Sequence, residues 1–485
     1  MLFFFKKLNF LIFNVLREKA EAFFFFFLFF SFQKELLRQR IKGLCTNELK
    51  SWIFGCVKTR ELSRCPKPIF EFIMHMPLFR LFVPFFLFLS FSLAGRVELG
   101  VDRLFREEGF RALLKGKRVG LITNQTGVDS ELKATVELFL QKEPFRLFAL
   151  FAPEHGIDGK GYAAEKIPDL RDFKGVPLYS LHGKTRRPTE KMLQGIDVLV
   201  FDIQDVGVRS YTYLTTLCYV MEEAAGRGIP VVVLDRPNPL GGELVDGPML
   251  EERWRSFVSY LNVPYCHGMT LGELALFFNE KSRVGCDLTV VPMRGWKRKM
   301  SFLETGLHWI PTSPQIPEAT TPFFAAATGI LGELGLVSIG VGYTLPFKVV
   351  GAPWIDADGF ALALSSQNLP GVAFIPCHFR PFFGAYKGED CHGVRIYMTD
   401  RRAFRPLSVQ YLLIGMLKSL YPKEVDKRLK ALSQGKRDLF CKVNGNEEMW
   451  KWLREEKYSA WKMIGFQQEE RKAFCKLRKP FLLYD

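Results

Sequence analysis

The sequence lacks the motifs that would assign it to several large enzyme classes. It has no G-x-G-x-x-G and no G-x-x-x-x-G-K-[ST] motif, so a dinucleotide or nucleoside triphosphate site has no support. It also has no H-E-x-x-H and no G-x-S-x-G motif, and its seven histidines show no metal-ligand spacing. These absences argue against nucleotide-dependent enzymes, zinc metalloproteases and serine hydrolases with a nucleophile elbow, and we predict no cofactor and no metal site.

Cysteine is sparse and irregularly spaced. Seven of the ten cysteines follow Ala94, an odd number with neither a CxxC pair nor the spacing of a disulfide framework. We expect most of them to be thiols in the core, and Cys377 with Cys391 is the one candidate disulfide. No repeat of 20–50 residues is present, which excludes solenoid and propeller folds.

The first 94 residues differ in composition from the rest of the chain. They hold 22 of the 47 phenylalanines and half of the formal net charge of +16. Within them, Met76–Ala94 has the layout of a secretory signal, with one arginine near its start, an apolar stretch and small residues before Gly95. We therefore expect an exported protein, periplasmic or extracellular, whose translation starts at Met76, with 1–75 a spurious or disordered extension. The alternative is a membrane-anchored N-terminal region, although an apolar run of about ten residues is short for a span.

From residue 95 onward the chain is only mildly basic, because it carries the other half of the net charge. This charge does not indicate a nucleic-acid-binding protein. A solvated basic surface explains it, as does attraction to an anionic polymer or membrane surface.

Short apolar runs alternate with helical patterns after residue 95, which favours a parallel sheet covered on both faces. Strands are predicted at Arg118–Asn124, Leu147–Ala152, Val176–Leu181, Ile196–Ile203, Ile229–Leu234 and Leu288–Pro292. Helices are predicted at Glu131–Gln141 and Tyr211–Gly226, and a capping box, Thr270–Glu273, opens another through Asn279. The pattern breaks around 294–322. We predict a Rossmann-like α/β domain over 95–300, a smaller α+β domain over 301–485, and an active-site cleft between them.

Acidic side chains and one histidine follow the second predicted strand. Pro153 ends the strand, and Glu154 and His155 come directly after it, where open α/β sheets place their ligands. Glu165 follows in the same glycine-rich loop. An acid and an imidazole at a strand end, with a second acid close by, suit acid/base chemistry on a polar substrate. A helix-capping glutamate and a histidine that satisfies a buried carbonyl group are the alternative.

Two further strand ends deliver carboxylates to the same edge. Asp202, Gln204 and Asp205 follow the strand at Ile196–Phe201, and Asp235 and Asn238 follow the next one. Asp202 and Asp205 could bind a divalent metal, or they could form an ion pair with Arg209. They could also hydrogen-bond to sugar hydroxyls beside Tyr213. One of the two could instead cap the next helix. Paired acids with aromatic residues and no cofactor loop favour carbohydrate chemistry by two carboxyl groups.

Six motifs in one order give the chain a family resemblance that covers essentially all of 97–485. They are Gly120–Gly127 (GLITNQTG), Ala152–Gly156 (APEHG) with Glu165, Phe201–Tyr213 (FDIQDVGVRSYTY), Asp235–Gly242 (DRPNPLGG), Gly351–Asp356 (GAPWID) and Tyr386–Val394 around Cys391. The chain resembles the bacterial exo-β-N-acetylmuramidase family of peptidoglycan glycosidases. The resemblance implies release of N-acetylmuramic acid from the non-reducing ends of peptidoglycan-derived glycans.

The resemblance also implies roles for single residues. Glu154 is expected to be the catalytic acid, with its pKa raised by burial, and its partner is open between Glu165, placed slightly ahead, and Glu333. Arg209 is expected to meet the lactyl carboxylate of the substrate, where a guanidinium fork suits a carboxylate. The expected substrate-binding set is His155, Asp202, Gln204, Asp205, Arg209, Tyr213, Asp235 and Asn238.

The sequence departs from the family pattern in three places. A proline-rich loop reads TSPQIP at Thr312–Pro317, and Asp158 stands where an arginine is common. The loop Glu333–Thr344 keeps its glutamate and glycines but has Leu336 and Val341 in place of an asparagine and an arginine. Two alternatives therefore stay open: a non-catalytic envelope glycan-binding protein, and a metal-dependent hydrolase that uses Asp202 and Asp205.

Overall fold

The predicted apolar runs form a seven-stranded sheet in the computed structural model, which describes residues 96–141 and 144–485. Its strands are β1 (Arg118–Thr123), β2 (Arg146–Ala152), β3 (Leu170–Phe173), β4 (Val176–Ser180), β5 (Val198–Asp202), β6 (Val231–Leu234) and β7 (Leu288–Val291). Their order in the sheet is β3-β4-β2-β1-β5-β6-β7, and every neighbouring pair is parallel except β3 with β4. The expectations for 1–94, including the signal segment, lie outside the described residues.

The central strands of this sheet are buried on both faces, which explains their continuous apolar runs. The helices of this part are α1 (Gly100–Arg106), α2 (Glu108–Arg111), α3 (Thr135–Gln141), α4 (Glu190–Leu193), α5 (Thr212–Ala225) and α6 (Leu271–Lys281). On one face, Leu199 and Phe201 of β5 pack in one core with α5 and α6. On the other, Val198 and Val200 share a second core with α1 and α3. Successive side chains of β5 therefore pack alternately against the helices on one face of the sheet and those on the other.

A second sheet, antiparallel and in the order β8-β10-β9, follows in the chain. Its strands are β8 (Val349–Ala352), β9 (Val372–Phe379) and β10 (Cys391–Met398). The helices of this part are α7 (Thr321–Leu334), α8 (Ala357–Ser365), α9 (Pro406–Leu420), α10 (Pro422–Ala431), α11 (Gln434–Asn444), α12 (Glu448–Glu455), α13 (Ala460–Gly465) and α14 (Gln468–Leu477). A mostly parallel sheet with a smaller antiparallel one confirms the predicted fold class, while the boundary at 300 stays a prediction.

The predicted start of α6 is confirmed, whereas that of α3 is shifted. The capping box at Thr270 is present, with the Thr270 Oγ1 accepting from the Glu273 amide at 3.2 Å and the Glu273 carboxylate accepting from the Thr270 amide at 3.0 Å. The helix predicted from Glu131 begins only at Thr135, because Val128 and Ala134 first form a bridge. None of the helices within the described ranges is long and apolar enough to cross a membrane.

The seven cysteines after Ala94 are free thiols. Cys377 lies opposite Gly393 and Cys391 lies opposite Phe379, so the two are diagonal neighbours across β9 and β10 rather than a facing pair. The proposed Cys377–Cys391 disulfide is therefore absent from the structure.

Candidate active site

Glu154 lies at the carboxyl end of β2, buried and held by groups from two other segments. Its Oε1 accepts a hydrogen bond from the Ala164 amide at 2.8 Å, and its Oε2 accepts one from the Thr212 hydroxyl at 2.7 Å. Thr212 is the first residue of α5, so the helix dipole also favours negative charge here. Both oxygens of Glu154 thus accept a hydrogen bond from the protein.

His182, which was not predicted as a site residue, lies within ion-pair distance of Glu154. It follows β4, the strand beside β2, and its Nε2 lies 3.6 Å from the Glu154 Oε1. Burial lowers the pKa of His182 even though Glu154 opposes the shift, so the ring is neutral at neutral pH. Its Nδ1 is buried without a hydrogen-bond partner among the described residues. The sequence did contain a signal for His182, since it directly follows the predicted strand Val176–Leu181. A residue in that position lies at the same edge of a parallel sheet as Glu154.

His155 and Glu165 support the loop after β2. The His155 Nδ1 hydrogen-bonds to the Gly161 carbonyl oxygen at 2.8 Å, and its backbone has a φ of 72°, in the left-handed region. Glu165 is exposed, and its Oε2 accepts from the Tyr162 amide at 2.7 Å. For His155 this is the carbonyl-satisfying role given above as the alternative. Neither contact joins these side chains to Glu154.

Asp205 is a buried carboxyl group at the same edge of the sheet, just after β5. Burial raises the pKa of Asp205 to about 7, although its Oδ2 accepts from the Gly207 amide at 2.8 Å. Its Oδ1 is buried with no hydrogen-bond partner in the described part of the chain, beside a cavity of about 10 Å³. Such a volume is about what one water molecule needs.

Tyr213 connects the two carboxyl groups. It is fully buried at the start of α5, and its hydroxyl donates to the Thr312 carbonyl oxygen at 2.8 Å. Burial and neighbouring Tyr211 raise the pKa of Tyr213, and the charges of Glu154 and Asp205 raise it further. The charges of both acids thus act on the same buried phenol.

The side chains of Asp202 and Gln204 form hydrogen bonds within the protein. Asp202 accepts two hydrogen bonds from the Arg236 guanidinium, at 2.6 and 2.9 Å, and one from the Thr135 hydroxyl at 2.6 Å. The Gln204 amide donates to the carbonyl oxygens of Asp205 and Pro237, both at 2.8 Å. The expectation that Asp202 and Gln204 contact substrate is therefore not supported, because both are buried and bonded to protein groups.

Asp235 and Asn238 likewise hold loops together. Asp235 accepts from the Thr270 hydroxyl at 2.7 Å and the Gly272 amide at 2.8 Å, at the start of α6, and from the Tyr484 hydroxyl. Burial raises the pKa of Asp235 to about 6. Asn238 donates to the Met269 carbonyl oxygen at 3.0 Å and accepts from the Leu240 amide at 2.9 Å. Both side chains are buried and bonded to protein, which does not fit the predicted contact with substrate.

The surroundings of Arg209 do not fit the predicted contact with the lactyl carboxylate. The side chain is fully buried, and all five of its N–H groups point at protein oxygens, one hydroxyl and four carbonyls. These acceptors belong to Ser259, Pro248, Val263, Val443 and Asn444, at 2.6–3.1 Å. Burial lowers the pKa of Arg209 to about 10. The residue joins α11 to the loops around residues 248–263 and has no N–H left for a substrate.

Glu333 lies at the end of α7. The loop that follows it contains Leu336 and Val341, the two apolar departures from the family pattern. Burial raises the pKa of Glu333, while the Lys436 ammonium opposes the shift. Leu336 is 2% exposed and packs in the core of the C-terminal part, with Val341 against it. The apolar replacements therefore have a packing role, and Glu333 stays a prediction as a catalytic partner.

Metal ligands are not clustered in the described residues, where no group of three or more histidine, cysteine, aspartate or glutamate side chains suits an ion. The metal-dependent alternative requires both Asp202 and Asp205 as ligands, but Asp202 is already paired with Arg236. A site of two buried carboxyl groups with a neighbouring imidazole fits acid/base chemistry instead.

Known proteins share this architecture. Residues 119–320 match the family model for the N-terminal part of the exo-beta-N-acetylmuramidase NamZ, and 325–484 match the model for its C-terminal part. The chain is 42% identical over 393 residues to the peptidoglycan beta-N-acetylmuramidase NamZ of Bacillus subtilis (strain 168), covering 80% of this chain and 92% of that protein. Two solved DUF1343 family proteins of Bacteroides fragilis NCTC 9343 are similar, with TM-scores of 0.75 and 0.58 and identities of 40% and 29%. Each alignment covers 80% of this chain and 99% of the solved one. These matches confirm the resemblance noted from the motifs: the chain belongs to the exo-β-N-acetylmuramidase NamZ family.

Proposed function

We propose that this protein is an exo-acting glycoside hydrolase that releases N-acetylmuramic acid from the non-reducing ends of peptidoglycan-derived glycans. The observation that carries the proposal is the pair of buried carboxyl groups, Glu154 and Asp205, beside Tyr213. Family membership supports the substrate class. A non-catalytic glycan-binding protein would not need two such acids buried at one sheet edge.

The two carboxyl groups differ in the way that glycoside hydrolysis requires. One acid must be protonated to donate to the leaving oxygen, and the other must be ionised to act on water or on the anomeric carbon. Asp205 suits the first role, because its pKa is about 7. Glu154 suits the second, because an amide and a helix N-terminus stabilise its charge. This assignment reverses the role of general acid that the sequence suggested for Glu154.

Export of the protein is part of the proposal, since peptidoglycan lies outside the cytoplasmic membrane. The support is the layout of Met76–Ala94, with its arginine, apolar stretch and small residues before Gly95. Contact with a membrane would then be limited to this N-terminal segment.

Hydrolysis of chromogenic glycosides tests the activity. The purified protein is incubated with a chromogenic β-N-acetylmuraminide and, separately, with the matching β-N-acetylglucosaminide. We expect release from the muraminide alone, unchanged by a metal chelator. Binding of the muraminide without release would instead support the glycan-binding alternative, and loss of release with chelator would support the metal-dependent one.

A further inference from the structure

We propose that Arg186 binds the lactyl carboxylate of the substrate and thereby selects N-acetylmuramic acid over N-acetylglucosamine. The inference rests on the proposed function. The two sugars differ by a lactyl ether on C3, whose carboxylate is the one anionic group of the muramic acid ring. A protein that selects it needs an available cation near the catalytic carboxyl groups.

Three arginines of this part of the chain already have protein partners. Arg236 is bound to Asp202, and Arg209 is bound to five protein oxygens. Arg187 forms an ion pair with Glu222 at 2.7 Å. His182 is neutral at neutral pH. None of these groups offers a free positive charge to a ligand.

Arg186 differs from them in exposure and in partners. Its side chain is exposed, and no carboxylate of the described residues lies within ion-pair distance. The guanidinium carbon lies 4.1 Å from the centre of the Phe257 ring, close enough for cation–π stacking. Stacking occupies one face of the guanidinium and leaves its N–H groups, which lie in the plane, free to donate.

Phe257 connects Arg186 to the catalytic edge. The Phe257 ring is 7% exposed, and its centre lies 5.6 Å from that of His182, whose Nε2 lies 3.6 Å from the Glu154 Oε1. The charge of Arg186 also acts on His182, contributing to the lowering of its pKa. A sugar with its anomeric carbon at Glu154 therefore has a free guanidinium on one side, beyond the imidazole.

The neighbouring arginine, Arg187, belongs to the same group of aromatic rings. The guanidinium of Arg187 stacks on Tyr219 at 3.8 Å, and the Tyr219 ring lies 6.0 Å from that of Phe257. Arg187 is held by Glu222 and Glu223, so its charge is neutralised. Two successive arginines thus have separate functions: Arg187 fixes the aromatic platform, and Arg186 presents its charge to solvent.

The test combines variants of Arg186 with a change in the substrate. Arg186→Gln and Arg186→Lys are assayed on the chromogenic muraminide with a free lactyl carboxylate and on the same compound with that group converted to an amide. We expect Arg186→Gln to lower kcat/KM on the free acid by roughly 10- to 100-fold, mainly through KM, because a charge-assisted hydrogen bond is lost. Wild-type protein should lose a similar factor on the amide, and Arg186→Gln should lose nothing more. Arg186→Lys should recover part of the loss, since it keeps the charge without the fork.

Lys184→Gln is the matched control, because Lys184 is exposed and lies two residues away. It should leave kcat/KM on both substrates unchanged. Equal activity of Arg186→Gln and wild type on the free acid, or an equal loss on acid and amide, would overturn the role of Arg186 alone. Wild-type protein that hydrolyses neither compound would overturn the proposed function, and this assignment with it.

Discussion

Replacing Glu154 by glutamine is expected to reduce kcat on the muraminide by about 10³-fold or more. The glutamine carbonyl oxygen can still accept from the Ala164 amide, and its amide group can donate to the Thr212 hydroxyl. The loop and α5 should therefore keep their positions, and the thermal unfolding temperature should stay close to that of wild type. Only the negative charge is lost, and with it the group that acts on water or on the anomeric carbon.

Glu165→Gln is the control for this variant. Glu165 belongs to the same loop and is exposed, and its carboxylate contacts only the Tyr162 amide among its described hydrogen bonds. Its exchange should leave kcat within a few-fold of wild type. Activity retained by Glu154→Gln would remove Glu154 from the mechanism, and an equal loss in Glu165→Gln would restore Glu165 as the partner acid.

The second large effect is expected for Asp205→Asn, which should lower kcat by about 10²- to 10⁴-fold while making the fold more stable at alkaline pH. The folded-state pKa of Asp205 is about 7, against 3.8 in the unfolded chain. Between these values the folded state binds more protons, so stability falls as the pH rises through this window. Above pH 7 the buried charge of Asp205 lowers the free energy of unfolding by up to about 4 kcal/mol. An asparagine carries no charge and avoids this cost.

Thermal unfolding and kcat measured at pH 5 and pH 8 separate the catalytic from the structural contribution of Asp205. We expect the variant to gain more stability relative to wild type at pH 8 than at pH 5. Wild-type kcat should fall as the pH rises above about 7, because the proton donor is then ionised. A variant that is active, or one that is less stable than wild type at both pH values, would show that Asp205 is only structural.

The sheet and the position of Glu154 could be predicted from the sequence because they depend on local signals. An apolar run such as Leu147–Ala152 has to be buried, and Pro153 has to end it. Parallel strands then bring their carboxyl ends to one edge, whichever strands are neighbours. The pattern of apolar strands is therefore enough to predict which edge of the sheet holds the candidate catalytic residues.

The sequence could not show which polar side chains at that edge are free. Asp202 and Asp205 are three residues apart, yet Asp202 is paired with Arg236, while one oxygen of Asp205 has no hydrogen-bond partner among the described residues. Arg209 lies in a family motif, and its partners lie up to 235 residues away in the chain. Such pairings are long-range, and a single sequence contains no local trace of them.

His182 and Arg186 were missed for a different reason. Each lies outside the quoted motifs, in a loop after a short strand, and neither belongs to a pattern of spaced ligands. Their proximity to Glu154 arises because β4 pairs with β2, which the sequence order does not reveal. The strand order β4-β2-β1-β5 is what brings these loops together.

The direction of attack on a glycan tests the central claim most directly. The full chain is incubated with two β-1,4-linked disaccharides, one with N-acetylmuramic acid at the non-reducing end and one with N-acetylglucosamine there, and products are followed by mass spectrometry. We expect free N-acetylmuramic acid and N-acetylglucosamine from the first disaccharide and neither sugar from the second. Cleavage of the second disaccharide at a comparable rate, or cleavage of neither, would contradict it.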